Sequence, residues 1–193
     1  MVKSILIVNV GVFIFSFILP LPNFLGLYPL RSPDFKPFQL FTYMFVHADF
    51  WHILFNMIGL VIFGAFLEAF WGQNKFLIFY MVTGIGAGVF YGVINYFALM
   101  GPVYNIPMIG ASGAVYGLIM ACAILFPNTE IFLLFPPMPV KLKWLAVFLG
   151  GIALFSIINR NPADNVAHLA HLGGMVFAFI LLKIWQNQRK DFY

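Results

Sequence analysis

A chain of 193 residues with 63% hydrophobic and only 8% charged side chains is no ordinary soluble domain, where charged residues make up about 25%. The net charge of +4 comes from ten Lys and Arg that are scattered and often flank apolar runs, which excludes the basic patch of a nucleic-acid binder. The single cysteine, Cys122, excludes an intrachain disulfide framework.

Taken in order, the chain reads as an all-α polytopic membrane protein, one membrane-embedded domain over residues 1–193 with six spans. The first runs from about Ser4 to Leu19 and stops at Pro20 and Pro22, since proline breaks the intrahelical ladder. Lys3 before this run resembles a signal peptide, but no small-residue cleavage site follows, so the span is expected to be retained. A long interfacial loop, about Leu21 to Phe38, mixes prolines, aromatics, Arg31, Asp34 and Lys36, a composition suited to headgroup level. The second span is about Ala48 to Trp71 and the third about Lys75 to Leu99. After a linker with Pro102 and Pro107, the fourth runs from about Ser112 to Phe126. Pro127, Pro136, Pro137 and Pro139 break the chain before a fifth span, about Leu142 to Ile158. Asn159 to Asn165 is a polar turn, the sixth span is about Val166 to Trp185, and the tail from Gln186 is expected to fray.

With the N-terminus inside, Lys3, Lys75, Lys141, Lys143, Lys183, Arg189 and Lys190 are cytoplasmic, whereas Arg31, Lys36 and Arg160 are outside. That split satisfies the positive-inside rule and places both ends in the cytoplasm. A bacterial cytoplasmic membrane is the simplest host.

Depth then singles out three polar positions. At about 1.5 Å rise per residue, Ser112 lies roughly 22 Å above the inner end of its helix, Asn56 roughly 24 Å and His171 roughly 18 Å. In a hydrocarbon core of about 30 Å, these groups from three helices share one submerged level. Polar groups there face a cavity or one another.

The residue types suggest acyl-transfer chemistry. Ser112 sits in Gly110-Ala111-Ser112-Gly113, a glycine-rich turn running into an apolar helix. A serine needs a base to become a nucleophile, and histidine suits that task near neutral pH. Tyr116, one turn after Ser112, is placed to pack on an imidazole. His52 and Asn56 share a face and, with the Ser112 N–H, can donate to a developing oxyanion. His171 precedes a small-residue stripe, Gly174 and Ala178, and a matching stripe, Gly113 and Gly117, would bring the fourth and sixth helices together. Asp164 lies at the loop end of the sixth helix, so a dyad is indicated rather than a triad.

Blander readings exist for each feature. Gly113 and Gly117 alone are an ordinary packing motif, and His52 with Asn56 alone suits a structural hydrogen-bond pair. His168 and His171 have ligand spacing, yet no carboxylate or cysteine pairs with them, so no metal is expected. His168 reads as a satisfied interfacial histidine, and Glu68, far from the level of Ser112, as a structural anchor.

Three blocks together resemble the rhomboid family of intramembrane serine proteases, in its minimal six-helix bacterial form: His47-Ala48-Asp49-Phe50-Trp51-His52-Ile53-Leu54-Phe55-Asn56, the Gly-x-Ser-Gly turn at Ser112, and Ala170-His171-Leu172-Gly173-Gly174. The resemblance implies a Ser112–His171 dyad, an oxyanion site with His52 and Asn56, and Tyr116 beneath the imidazole. It also implies that His47 holds the interfacial loop and that Glu68 ties helices and loop together. The implied activity is cleavage of a peptide bond in or beside a substrate's transmembrane helix through an acyl-enzyme, without a cofactor. The implied partners are single-pass or polytopic membrane-protein substrates and the lipid bilayer, with no nucleic acid; the oligomeric state stays open. Phe38-Gln39 stands where many bacterial members carry Trp-Arg. Neither a soluble N-terminal domain nor a seventh span is expected. The loop after Asn159 is the candidate cap and the fifth helix the candidate gate. A silent rhomboid-like escort and a small transporter are the alternatives.

Overall fold

The computed structural model describes residues 1–97, 106–133, 136–159 and 166–190, with side chains through 187. In chain order they form α1 (Val2–Phe15), α2 (Leu21–Leu25), α3 (Gln39–Thr42), α4 (Phe50–Gly59), α5 (Ala65–Trp71), α6 (Gln73–Phe97) and α7 (Ser112–Leu125). The strands β1 (Glu130–Phe132) and β2 (Pro139–Lys141) and the helices α8 (Leu142–Asn159) and α9 (His168–Lys190) follow. Among the described residues, four stretches are long and apolar enough to cross a membrane: Phe50–Trp71, Gln73–Phe97, Leu142–Asn159 and His168–Asn187. Val2–Phe15 and Ser112–Leu125 are shorter apolar helices. The protein is mostly helical and integral to the membrane, with several passes.

Four local features depart from the sequence-based expectation. α4 runs into α5 through a π stretch at Leu60–Gly64, which hydrophobic periodicity does not reveal because every residue there is apolar or glycine. The regular part of α1 ends at Phe15, and tighter bonds such as Phe17 N–H to the Ile14 carbonyl carry the chain to Leu19 before Pro20. The proline-rich break after α7 contains a small antiparallel hairpin pairing Ile131 with Val140. Its Pro139 begins a strand, where a missing N–H is tolerated. The tail does not fray at Gln186: α9 continues to Lys190, through Gln, Arg and Lys, which are good helix formers. Most of the Asn159–Asn165 candidate cap, with Arg160 and Asp164, lies outside the described residues, as do Leu99 and much of the linker before Ile106.

Burial identifies α7 as the central element. Its helix is only fourteen residues long, yet nine of them are buried, including Gly113, Val115, Gly117, Leu118 and Cys122. Eighteen-residue α8 buries only Leu142, Leu145, Ala146 and Ala153, so it is peripheral. The segment of residues 21–45 packs on a glycine face of α6: Met44 fills the space at Gly84, Tyr43 and Leu27 that at Gly88, and Leu30 that at Gly92. Spacing of four residues puts these glycines on one face. Inside the loop, the buried Gln39 carboxamide accepts from the N–H of Lys36 at 3.0 Å and of Tyr28 at 3.4 Å. It donates to the carbonyls of Asp34 at 3.1 Å and Phe24 at 3.4 Å. All four bonding positions of the amide are thus used, so a neutral side chain organises the loop.

Candidate active site

The turn before α7 is held by the backbone of the 21–45 segment. Leu27 and Met108 exchange two backbone hydrogen bonds of 2.8 Å, and the Gly110 N–H donates to the Tyr43 carbonyl at 2.9 Å. Gly110 has φ +116°, a conformation that disfavours any side chain. The position of its absent Cβ is also taken, lying 2.6 Å from His52 Nε2. Glycine is required there twice over. The chain then enters α7 with Ser112 as its first residue.

His171 projects from the first turn of α9 and is 7% exposed. Its Nε2 lies 2.8 Å from Ser112 Oγ. With the ring proton on Nδ1, the serine hydroxyl donates to Nε2, the geometry a general base needs. The Tyr116 ring lies flat beneath the imidazole, centroids 4.1 Å apart and planes 10° from parallel. His168 meets the same imidazole edge-on, at 5.7 Å and 90°.

At Gly174 the backbones of α7 and α9 come too close to leave room for a side chain. A Cβ on Gly174 would run into the Gly113 carbonyl. The rest of the expected stripe is corrected, since a Cβ on Gly117 would meet Thr83 of α6 at 2.8 Å rather than α9.

His47 and His52 pack edge to face with centroids 5.0 Å apart. His47 is 2% exposed, and its Nε2 accepts a long hydrogen bond from the Ala111 N–H at 3.5 Å. Burial, reinforced by neighbouring His52 and only partly offset by the Phe45 backbone and Asp49, pushes its pKa down to about 3. A neutral His47 therefore braces the residue next to Ser112. His52 Nδ1 accepts from the Ala48 N–H at 3.3 Å, which leaves the proton of the neutral ring on Nε2, the nitrogen facing Gly110. Asn56 is buried, and its Nδ2 donates to the His52 carbonyl at 2.8 Å. Its amide thus rests on its own helix.

Ser112, His171, Tyr116, His47, His52, Gly110, Gly113 and Gly174 are gathered around one turn, with Asn56 a helical turn below His52. Glu68 is elsewhere. Its carboxylate takes the Val2 N–H at 2.9 Å and the Met1 amino group, so the tie it makes is to α1 rather than to the loop. The sequence did not single out Tyr43 or Thr83, and it marked Gln39 only as part of the Phe38-Gln39 departure from Trp-Arg. The glycines at 84, 88 and 92 were a signal that something bulky lies along α6.

The fold and this cluster define a class: a multi-pass helical membrane protein with a serine hydroxyl on a buried imidazole. The Rhomboid domain profile matches residues 34–187, and the chain belongs to the rhomboid family. It is similar to RHOMBOID-like protein 12, mitochondrial, of Arabidopsis thaliana, with 31% identity over 98% of this chain and 58% of that protein. Rhomboid protein 1, mitochondrial, of Saccharomyces cerevisiae is 29% identical over 98% of this chain and 56% of its own length. Rhomboid protease AarA of Providencia stuartii is 29% identical over 72% and 54% respectively. The chain thus spans little more than half the length of these relatives.

Proposed function

We propose that this rhomboid-family chain is a serine endopeptidase that hydrolyses a peptide bond in or beside a transmembrane helix of a membrane-protein substrate. The observation carrying this reading is the 2.8 Å contact between Ser112 Oγ and His171 Nε2. In the proposed reaction Ser112 Oγ attacks the scissile carbonyl carbon while His171 takes the hydroxyl proton. The tetrahedral intermediate collapses as His171 returns that proton to the leaving amine, which departs from an acyl-Ser112 ester. Water, deprotonated by His171, then attacks the ester and frees the acid and Ser112. Tyr116 keeps the imidazole in plane. The developing oxyanion is met by the Ser112 N–H, one of the first amides of a helix, which lack helical partners. The Nε2–H of His52 and the second amide hydrogen of Asn56 complete that set.

On the same reading, residues 1–193 form one membrane-embedded domain of six spans, with α1 and α7 as the short first and fourth, and the loop of residues 21–45 lies at the interface. The basic residues at positions 3, 75, 141, 143 and 183 support a cytoplasmic N-terminus. The peripheral setting of α8 suits a movable gate for substrate entry.

The test is cleavage of a model transmembrane substrate by purified protein in liposomes. Ser112→Ala and His171→Ala are each expected to abolish the product, and a fluorophosphonate probe should label Ser112. His168→Ala should keep most activity. Cleavage that survives loss of Ser112 or His171 overturns the assignment.

A further inference from the structure

Tyr43 is 1% exposed and touches the serine turn in two ways at once. Its backbone carbonyl takes the Gly110 N–H at 2.9 Å. Its hydroxyl lies 3.5 Å from where a Gly113 Cβ would be. Ser112 lies between those two glycines. The hydroxyl also donates to the Gly84 carbonyl of α6 at 2.7 Å, and the ring lies over Gly88 of the same helix. One side chain therefore spans from α6 to the first residues of α7. Its own position is fixed one helical turn away by the fully bonded Gln39 amide. The Thr42 hydroxyl, donating to the Leu25 carbonyl at 2.7 Å, adds a second tie.

We infer that Tyr43 is a positioning residue for the reaction: its hydroxyl bond to α6 sets the height of the Ser112 turn relative to His171. This rests on the proposed peptidase reading. The physical basis is the sharp dependence of attack on geometry. A displacement of about 1 Å far from the reacting atoms can cost on the order of 100-fold in rate. The Ser112–His171 contact joins α7 to α9, where Gly174 rests on the Gly113 carbonyl, and the height of the turn also depends on a contact on its α6 side. Tyr43 supplies it, with its ring as wedge and its hydroxyl as the stop.

Tyr43→Phe keeps the wedge and removes the stop, so it separates the two roles. The expected result is a fall in kcat of roughly 10-fold with KM little changed, the signature of a lost transition-state arrangement rather than lost substrate binding. Fluorophosphonate labelling of Ser112, which requires no substrate recognition, should slow in parallel. Leu30→Ala, which loosens the loop's packing at Gly92 without touching the serine turn, serves as the stability control. It should lower the thermal midpoint at least as much as Tyr43→Phe while labelling stays near the parental rate. If Tyr43→Phe labels as fast as the parent, or if both variants lose labelling in proportion to their loss of stability, Tyr43 is a packing residue and the inference fails. Failure of the underlying peptidase reading looks different: the parent itself would then be neither labelled at Ser112 nor silenced by Ser112→Ala.

Discussion

His171 is gripped unevenly. Tyr116 covers one face at stacking distance, whereas His168 meets it edge-on. An aromatic face against an imidazole leaves the ring few orientations, and Nε2 lies within hydrogen-bond distance of Ser112 Oγ. The second buried imidazole near the turn, His47, has a different role, because its low pKa keeps it an acceptor at neutral pH. The sign of the resulting pH dependence can be worked out. The folded state holds His47 neutral down to about pH 3, while the unfolded chain binds a proton below about pH 6.5. The unfolded state thus takes up more protons between those values, and stability falls as pH drops through that window. From pH 6.5 to 5 this single group should cost about 2 kcal/mol. Thermal midpoints in detergent at pH 7 and pH 5 should therefore drop more for the parent than for His47→Asn, which has no imidazole to protonate. Equal drops in the two proteins would show that His47 is not held neutral.

At the scale of elements, the helix meeting that matters is the crossing of α7 and α9. A methyl on Gly174 would occupy the space of the Gly113 carbonyl, and backbone cannot yield as a side-chain tip can. Gly174→Ala should push the helices apart and break the Ser112–His171 contact. Cleavage and Ser112 labelling are expected to fall at least 100-fold, with a stability loss of about 1–3 kcal/mol from overpacking. Gly151→Ala, where a methyl meets open space, should change neither. A Gly174→Ala protein with parental labelling would mean that the crossing is not fixed by this pair. The sequence carried half of this arrangement. Depth arithmetic put Ser112, Asn56 and His171 at one level, and Ser112 and His171 do touch. The stripe of small residues did not say which faces would meet: Gly117 turned out to serve Thr83. A periodic pattern reports that a face is small, not the angle at which a partner crosses it. The π stretch at Leu60–Gly64 was silent for a similar reason, since greasy residues look alike whichever carbonyl their N–H reaches. The loop's internal bonds were illegible because Gln39 reads as an ordinary polar loop residue until its four partners are in place.

At the scale of the whole molecule, the length of α7 decides where the chemistry lies. Fourteen residues reach about 21 Å, well short of a hydrocarbon core of about 30 Å. A helix that short, surrounded by α6, α8 and α9, has at least one end below the membrane surface. Irregular backbone at such depth survives only if protein or enclosed water satisfies it, and the loop contacts to Met108, Gly110 and Ala111 do part of that. The proposed hydrolysis needs water as well, so the Ser112 hydroxyl must be reachable from one side of the bilayer. In the proposed orientation that is the outer side. The check is a single-thiol protein, Ser112→Cys combined with Cys122→Ala, in sealed vesicles of known orientation. Native Cys122 is 1% exposed and its removal clears the background. A charged, membrane-impermeant thiol reagent should label position 112 when added outside and leave it untouched when confined to the cytoplasmic side. Labelling from the cytoplasmic side would reverse the topology. Reaction with only a lipid-permeant reagent would mean a dry site, and a dry site cannot resolve an acyl-enzyme.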